Sequence, residues 1–327
     1  MPSKKVQGLD VVLDNLGKGI TDKFIISSKK YDDVGELEVI PFGVPEIDKA
    51  LVCGGIPRGS LVELFGTESG GKSWATYKLI ASAQRMGLRC AFLDVETSFV
   101  PEWVEKNGVD TSNLLLGQNF DHGEEAMDAL KTLVYSGNID LVILDSTAAL
   151  VPKAELEAAM DKPKVAELGR LMSRAVKQIN AGCGRTGCTV VFINQIRTNV
   201  GIMFGNPETT PGGKALKFYS HIRLKIRRTG LIKGTDSEGA EIVIGATSEI
   251  KVEKSKKAPP LGKGEFSIYF YPELLTPLVK LAELAYKAGV IKRKKDDDGI
   301  MEYTMGKGKD LVRTGTYDYI HLSEYFT

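Results

Sequence analysis

The chain has 327 residues, of which 43% are hydrophobic and 26% charged, with a formal net charge of +1. That is a globular balance, long enough for one large core with small appendages. Bulk charge marks no nucleic-acid binder, so any such surface must be a local basic patch. The longest apolar runs, such as Leu141–Leu144, are too short to span a bilayer. The N-terminus lacks the basic, apolar, small-residue order of a secretory signal, so a cytoplasmic protein without a membrane partner is expected. Cys53, Cys90, Cys183 and Cys188 make no disulfide framework. Cys183 and Cys188 have metal-like spacing but no second pair and no nearby histidine, so free thiols are expected.

Residues 1–35 are polar and weakly patterned. Val11, Val12, Leu13 and Leu16 fit one side of a short helix, and Phe24, Ile25 and Ile26 a short strand. Neither carries enough apolar surface for a domain, so the segment reads as an arm that packs elsewhere. From 36 to 270 the pattern alternates between strand-length apolar runs and longer helical stretches. The runs are Leu61–Phe65, Cys90–Val95, Leu114–Leu116, Leu141–Leu144 and Thr189–Ile193. Near-continuous apolar strands separated by helices predict an α/β fold, a mostly parallel sheet covered on both faces. After Ile193 the style changes. Ile222, Leu224 and Ile226 alternate with Arg223, Lys225 and Arg227, and Glu241–Val252 and Glu265–Tyr271 are also strand-like. These predict an antiparallel extension of the same sheet. Pro272 and Pro277 bracket a change to helix, with Leu278, Leu281, Ala282, Leu284 and Ala285 on one stripe before Gly289. Residues 271–327 read as a small C-terminal α+β lobe.

The densest chemistry is local. Gly66-Thr67-Glu68-Ser69-Gly70-Gly71-Lys72-Ser73 fits the P-loop pattern in full, between a predicted strand and a predicted helix. Its glycines let successive backbone N–H groups turn inward onto phosphate oxygens. Lys72 is placed to reach the β- and γ-phosphates of ATP, and Ser73 to bind Mg²⁺. Asp145, ending the apolar run Leu141–Leu144, is placed to meet the Mg²⁺ shell. Glu96 follows another predicted strand at the same sheet edge, where a carboxylate can orient or deprotonate the attacking water. Arg170, Ser173 and Lys177 recur at helical spacing beside an apolar stripe of Val165, Leu168, Met172, Ala175 and Ile179. A basic stripe near the glycine pair Gly212-Gly213 suits phosphate contacts that do not read bases.

One stretch narrows the choice among P-loop proteins. Asn194-Gln195-Ile196-Arg197, then Gly201–Thr210, then Gly212-Gly213 and Ala215-Leu216-Lys217-Phe218-Tyr219, resembles the bacterial RecA family almost residue for residue. Ala148-Ala149-Leu150 with Pro152-Lys153-Ala154-Glu155 is similar to the segment after that family's Mg²⁺ aspartate. The resemblance covers roughly 36–310. It implies a RecA-like ATPase core over 36–270, with 1–35 as a polymerisation arm and 271–327 as a small C-terminal domain. It implies a DNA-dependent ATPase and recombinase that forms a head-to-tail homo-oligomeric filament on single-stranded DNA and exchanges strands with double-stranded DNA.

By residue, the resemblance makes Glu96 the catalytic glutamate and Gln195 the sensor linking the γ-phosphate to a DNA loop. Lys254 and Lys256 become lysines that reach a neighbouring subunit's ATP, and Phe218 an interface residue. Segments 157–165 and 196–210 become the DNA loops. Arg197 becomes a phosphate contact there, and Val165 and Val200 wedges between base triplets. Trp103 stands where the family stacks a tyrosine on adenine, Val100 where it has an aspartate, and Pro211 where it has a threonine. Phe270 takes the place of an aromatic beside the neighbour's nucleotide. The arm reads as short or divergent and the family's long acidic tail is missing, which fits a shortened, divergent member such as a virus would carry. A ring helicase on the same core would lack the 203–213 segment, and a ring-forming ATP switch would lack the Arg170, Lys177 and Arg197 set.

Overall fold

The computed structural model describes residues 37–158, 166–198, 208–235, 241–270, 291–295, 301–305 and 311–314. The predicted pieces at 11–16, 24–26 and 278–285, and Val165 and Val200, lie outside the described residues. The chain divides into two compact units, 1–39 and 40–327; the account below concerns the second.

Eight strands form its sheet: β1 Leu61–Gly66, β2 Cys90–Asp94, β3 Leu114–Gly117, β4 Leu141–Asp145, β5 Thr189–Gln195, β6 Ile222–Thr235, β7 Glu241–Ser255 and β8 Lys263–Tyr269. Their order is β8-β7-β6-β1-β5-β4-β2-β3. Every pair from β6 to β3 is parallel. β6 belongs to both halves of the sheet, parallel to β1 on one side and antiparallel to β7 on the other, and β8 continues the antiparallel part.

Helices fill the crossovers. α1 is Pro45–Ala50, α2 Lys72–Arg85, α3 Pro101–Lys106, α4 Gly123–Tyr135, α5 Lys153–Leu156, α6 Glu167–Thr186 and α7 Ala215–Tyr219. Alternate residues of each central strand feed opposite cores, as the two-residue period of a strand requires. Ile143, Ile193 and Phe92 face the layer of α2, with Ala75, Leu79 and Ile80. Val142, Leu144, Val190 and Phe192 face the layer of α4 and α6, with Leu130, Met172, Val176 and Ile179. This two-sided burial explains the unbroken apolar runs.

β3 departs from the expectation of cover on both faces. It is the sheet's edge, and Leu115 and Leu116 are 51% and 37% exposed. Cys183 and Cys188 are buried in the layer of α6, and burial pushes the Cys183 thiol up to about 12. All four cysteines are free. Strands Ile291–Lys295, Met301–Met305 and Leu311–Thr314 form a separate antiparallel sheet. Among the described residues no helix is long and apolar enough to cross a membrane.

Two glycines separate a packing constraint from a propensity. A Cβ on Gly66, the last residue of β1, would meet the Ile226 carbonyl oxygen at 1.9 Å, whereas one on Gly184 in α6 would meet nothing within 4 Å. Gly66→Ala is expected to destabilise by about 1–3 kcal/mol or more, because backbone atoms must move. Gly184→Ala should stabilise by about 0.5–1 kcal/mol. Denaturant melts of both variants check the pair; a loss at Gly184 would contradict the helix assignment.

Candidate nucleotide and DNA site

β1 runs straight into the glycine-rich turn, and α2 begins at Lys72. Gly71 precedes it at φ +96° and Ser69 sits at φ +54°. No side chain caps this helix start, so its first N–H groups are free of side-chain acceptors, the arrangement that suits a phosphate. A Cβ on Gly71 would meet Ile268 Cδ1 at 2.3 Å, so the turn closes tightly against β8. Lys72 Nζ donates to the Thr67 carbonyl at 2.7 Å. Burial pushes the Lys72 ammonium down, while the carboxylates of Asp145, Glu96 and Glu68 hold it up.

The strand ends bring the remaining groups to this turn. Asp145 closes β4, and Ser73 Oγ donates to its Oδ2 at 2.7 Å. These are hard oxygen donors side by side, the kind Mg²⁺ prefers. The segment after β2 is clamped twice. Val95 and Glu96 donate their backbone N–H to the Asp145 carbonyl at 2.7 and 3.2 Å. Ser98 and Phe99 donate theirs to the buried Asp94 carboxylate at 3.1 and 3.0 Å, which also accepts from Gln118 Nε2 at 2.8 Å. Glu96 is thereby aimed at β5: its Oε1 accepts from Gln195 Nε2 at 3.1 Å and from the Ser146 hydroxyl.

Two cavities flank these groups. One of about 380 Å³ lies beside Ser69–Ser73 and is walled by Trp74, Trp103, Arg228, Ala246, Ile268 and Phe270. Phe270 lines this cavity as well, and β8 packs directly against the P-loop. Trp103 is among the walls, while Val100, 52% exposed, is not. Trp74 was not singled out from sequence, although a tryptophan one residue past the P-loop serine was a visible signal. The second cavity, also about 380 Å³, is lined by Val95, Glu96, Ala148, Ala149, Gln195 and Arg197.

On the proposed DNA face, α6 presents Arg170, Ser173 and Lys177 exposed, and buries Met172, Val176 and Ile179. Val176 belongs to the apolar stripe and was missed. Arg170 is paired with Glu167 at 2.8 Å, and Ser173 Oγ donates to the Gly169 carbonyl at 2.7 Å. Gly212 and Gly213 lie against this helix at φ +86° and +74°. A Cβ on Gly212 would meet Met172 Cγ at 3.0 Å, so packing on α6, not only approach to a ligand, accounts for this glycine. Arg197 opens a two-residue ladder, Arg197–Thr198 against Glu208–Thr209.

Lys254 and Lys256 are not brought to the P-loop of their own chain. Lys254 pairs with Arg223 near the start of β6, which lies beside Glu63. That is about 10 Å along β1 from Gly66 at ~3.3 Å per residue. Lys254 Nζ donates to the carbonyls of Lys217 and Phe218 at 2.8 and 3.0 Å, and Lys256 Nζ to that of Phe218 at 3.5 Å. Within one chain they cap α7 as cations at a helix C-terminus. Burial, Lys256 and Arg223 push the Lys254 ammonium down. Phe218 itself is 64% exposed.

Asp145 supplies a pH test. Its carboxyl is 2% exposed. Burial pushes it from an ordinary 3.8 up to about 6; Glu96 adds to the rise, and Ser73 and Lys72 oppose it. A carboxyl whose folded value is raised costs nothing below the unfolded value. The cost grows as pH rises from about 4 through 6, and is complete above. Asp145→Asn should therefore stabilise the ligand-free protein by on the order of 2–3 kcal/mol at pH 7.5 and hardly at pH 4. Denaturant melts at both values check this; an equal effect at both would contradict burial as the cause.

Comparison with known proteins agrees with this geometry. The family model described as RecA N-terminal domain matches residues 7–274. Protein RecA of Cytophaga hutchinsonii is 40% identical over 312 residues, covering 95% of this chain and 86% of that protein. Protein RecA of Rhodospirillum centenum is 41% identical over 313 residues, covering 96% and 86%. Among solved structures, the crystal structure of the RadB recombinase shares the fold, with a TM-score of 0.52 at 19% identity over 70% of this chain and 96% of that one. With the P-loop, its strand-end partners and most of its length matched, the chain belongs to the RecA family, the ATP-dependent DNA recombinases.

Proposed function

We propose that the chain binds Mg²⁺-ATP at Gly66–Ser73, assembles head to tail into a helical filament on single-stranded DNA, and pairs that strand with homologous double-stranded DNA while hydrolysing ATP. The observation that carries this is the hydrogen bond from Gln195 to Glu96. It joins the carboxylate placed to activate water to the residue from which the stem at Arg197–Thr198 departs.

Ser73 and Asp145 would hold Mg²⁺, which supplies charge neutralisation on the phosphates when bound. Lys72 opposes the negative charge gathered on the transferred phosphoryl group. Glu96 orients the attacking water and takes its proton. A γ-phosphate reaching Gln195 competes for the amide that Glu96 now accepts, so nucleotide state and the DNA stem become linked, each favouring the other. Trp103 stacks on the base. Arg170, Lys177, Arg197, Gly212 and Gly213 hold DNA phosphates, and pairing is read by the bases themselves.

The sheet register supports a shared nucleotide. Lys254 and Lys256 lie too far along the strand to serve their own P-loop, so the ATP they reach belongs to a neighbour. Exposed Phe218 beside them adds apolar area to that contact. A repeated heterologous contact that does not close makes a helix. Residues 1–35 serve as the polymerisation arm and 271–327 as a small C-terminal domain, in a protein of the cytoplasm.

Lys72→Ala should lower turnover by on the order of 10²-fold or more. Glu96→Gln should keep ATP binding and lower turnover by at least ~10²-fold, with filaments that persist. Electron microscopy of the parent and Glu96→Gln with single-stranded DNA and ATP is the check. Closed rings, or assemblies indifferent to DNA, would contradict the proposal.

The DNA face is tested by salt. Lys177→Ala should reduce the log-log salt slope of single-strand binding by about 0.7, similarly across sequences. Arg170→Ala should reduce it less, since Glu167 already opposes that charge. Arg89, paired with Asp140 at the far end of β2, should leave the slope unchanged when replaced by Ala. A slope lost at Arg89 and kept at Lys177 would put the channel on the wrong face.

A further inference from the structure

β1 carries an ionisable residue in the middle of the core. Glu63 is 0% exposed, three residues before the P-loop, on a strand whose other side chains are all aliphatic or aromatic. Arg223 of β6 donates Nε to its Oε2 at 2.6 Å and lays its guanidinium over the Phe65 ring at 4.4 Å. A buried ion pair is weak evidence for stability, because apolar residues of similar volume usually do as well or better. The second carboxylate oxygen points to another role.

Glu63 Oε1 accepts from Asn194 Nδ2 at 3.1 Å, and Asn194 is also 0% exposed. The same amide nitrogen donates to the Pro211 carbonyl at 3.1 Å. The Asn194 amide oxygen accepts the backbone N–H of Gln195 at 2.9 Å. An Asn amide has two donors on one side and an acceptor on the other. Two acceptors, Glu63 and Pro211, face its nitrogen, and one donor, Gln195 N–H, faces its oxygen. Only one orientation satisfies all three, and the Glu63 oxygen that accepts from the amide nitrogen enforces it. The line therefore runs from the P-loop strand to the residue before Gln195, and across to the returning limb of the stem at Pro211.

We propose that Glu63 is a positioning residue. By fixing the Asn194 amide it holds Gln195 and the Pro211 limb in one register, so that a change at Gln195 moves the stem instead of dissipating in the strand end. Arg223 holds Glu63 in place through its 2.6 Å contact with Oε2. Glu63 touches neither nucleotide nor DNA; it acts through Asn194. The inference rests on the proposed linkage of ATP and DNA.

The test compares ATP hydrolysis with and without single-stranded DNA for the parent, Glu63→Gln and Asn194→Ser, alongside the KM for ATP and a denaturant melt. Asn194→Ser leaves the Glu63–Arg223 pair intact, so it decides the matter if Glu63→Gln folds poorly. The expected result is a KM within about threefold of the parent and a loss of at least tenfold in the ratio of DNA-stimulated to basal turnover. The parental ratio in folded Asn194→Ser would overturn the proposal, as would a melt that shifts in Glu63→Gln with the ratio unchanged. A parent whose hydrolysis ignores DNA would instead overturn the proposed function, so the two failures are distinguishable.

Discussion

The site depends on parallel register. Gly66 lies beside Gln195, and Asp94 beside Asp145, because the strands that carry them start together and run the same way. Parallel strands with helical crossovers put their carboxyl ends along one edge, and that edge is where ligands bind in such sheets. Groups far apart in sequence therefore meet there without any long loop to position them. Shift β5 by one residue against β1, and Gln195 would turn to the other face while Phe192 left its core.

The same edge concentrates negative charge. Asp94 and Glu96 both act on Asp145, and Lys72 enters beside them as a cation from the P-loop. The protein manages this in two ways. Asp94 is saturated by two backbone N–H groups and Gln118, which fixes its role as a brace for the turn. Among the described residues the Asp145 carboxylate has the Ser73 hydroxyl as its one hydrogen-bond partner, so burial dominates and it holds its proton more tightly than an ordinary aspartate. Two carboxylates in adjacent register positions thus have different surroundings, one saturated by hydrogen bonds and one left to the Ser73 hydroxyl and burial.

What could be read from the chain was what is local. The P-loop is eight consecutive residues, and the buried strands announce themselves as apolar runs, so the α/β architecture with its mostly parallel sheet followed. Arrangements made by distant residues were hidden. The alternation of Arg223 and Lys225 with aliphatic residues shows a two-faced strand. It does not show that the polar face closes onto Glu63 and Glu208. Ser146 follows Asp145 in plain sight, yet its hydroxyl matters only because the turn after β2 brings Glu96 to it. Gly212 also packs on Met172, a partner 40 positions earlier that no local pattern names.

The chain has two tryptophans, and both line the nucleotide cavity. Trp74 is stacked on Phe266 with ring centroids 5.5 Å apart, and Lys78 lies 5.4 Å from its ring. Trp103 faces it from α3, partly buried against the same core. Indole emission from this protein therefore has a single address. No other indole in the chain dilutes it, so the molecule carries a built-in optical gauge of the cavity beside the P-loop, and replacing either ring by phenylalanine would leave one indole viewing that cavity from one known wall.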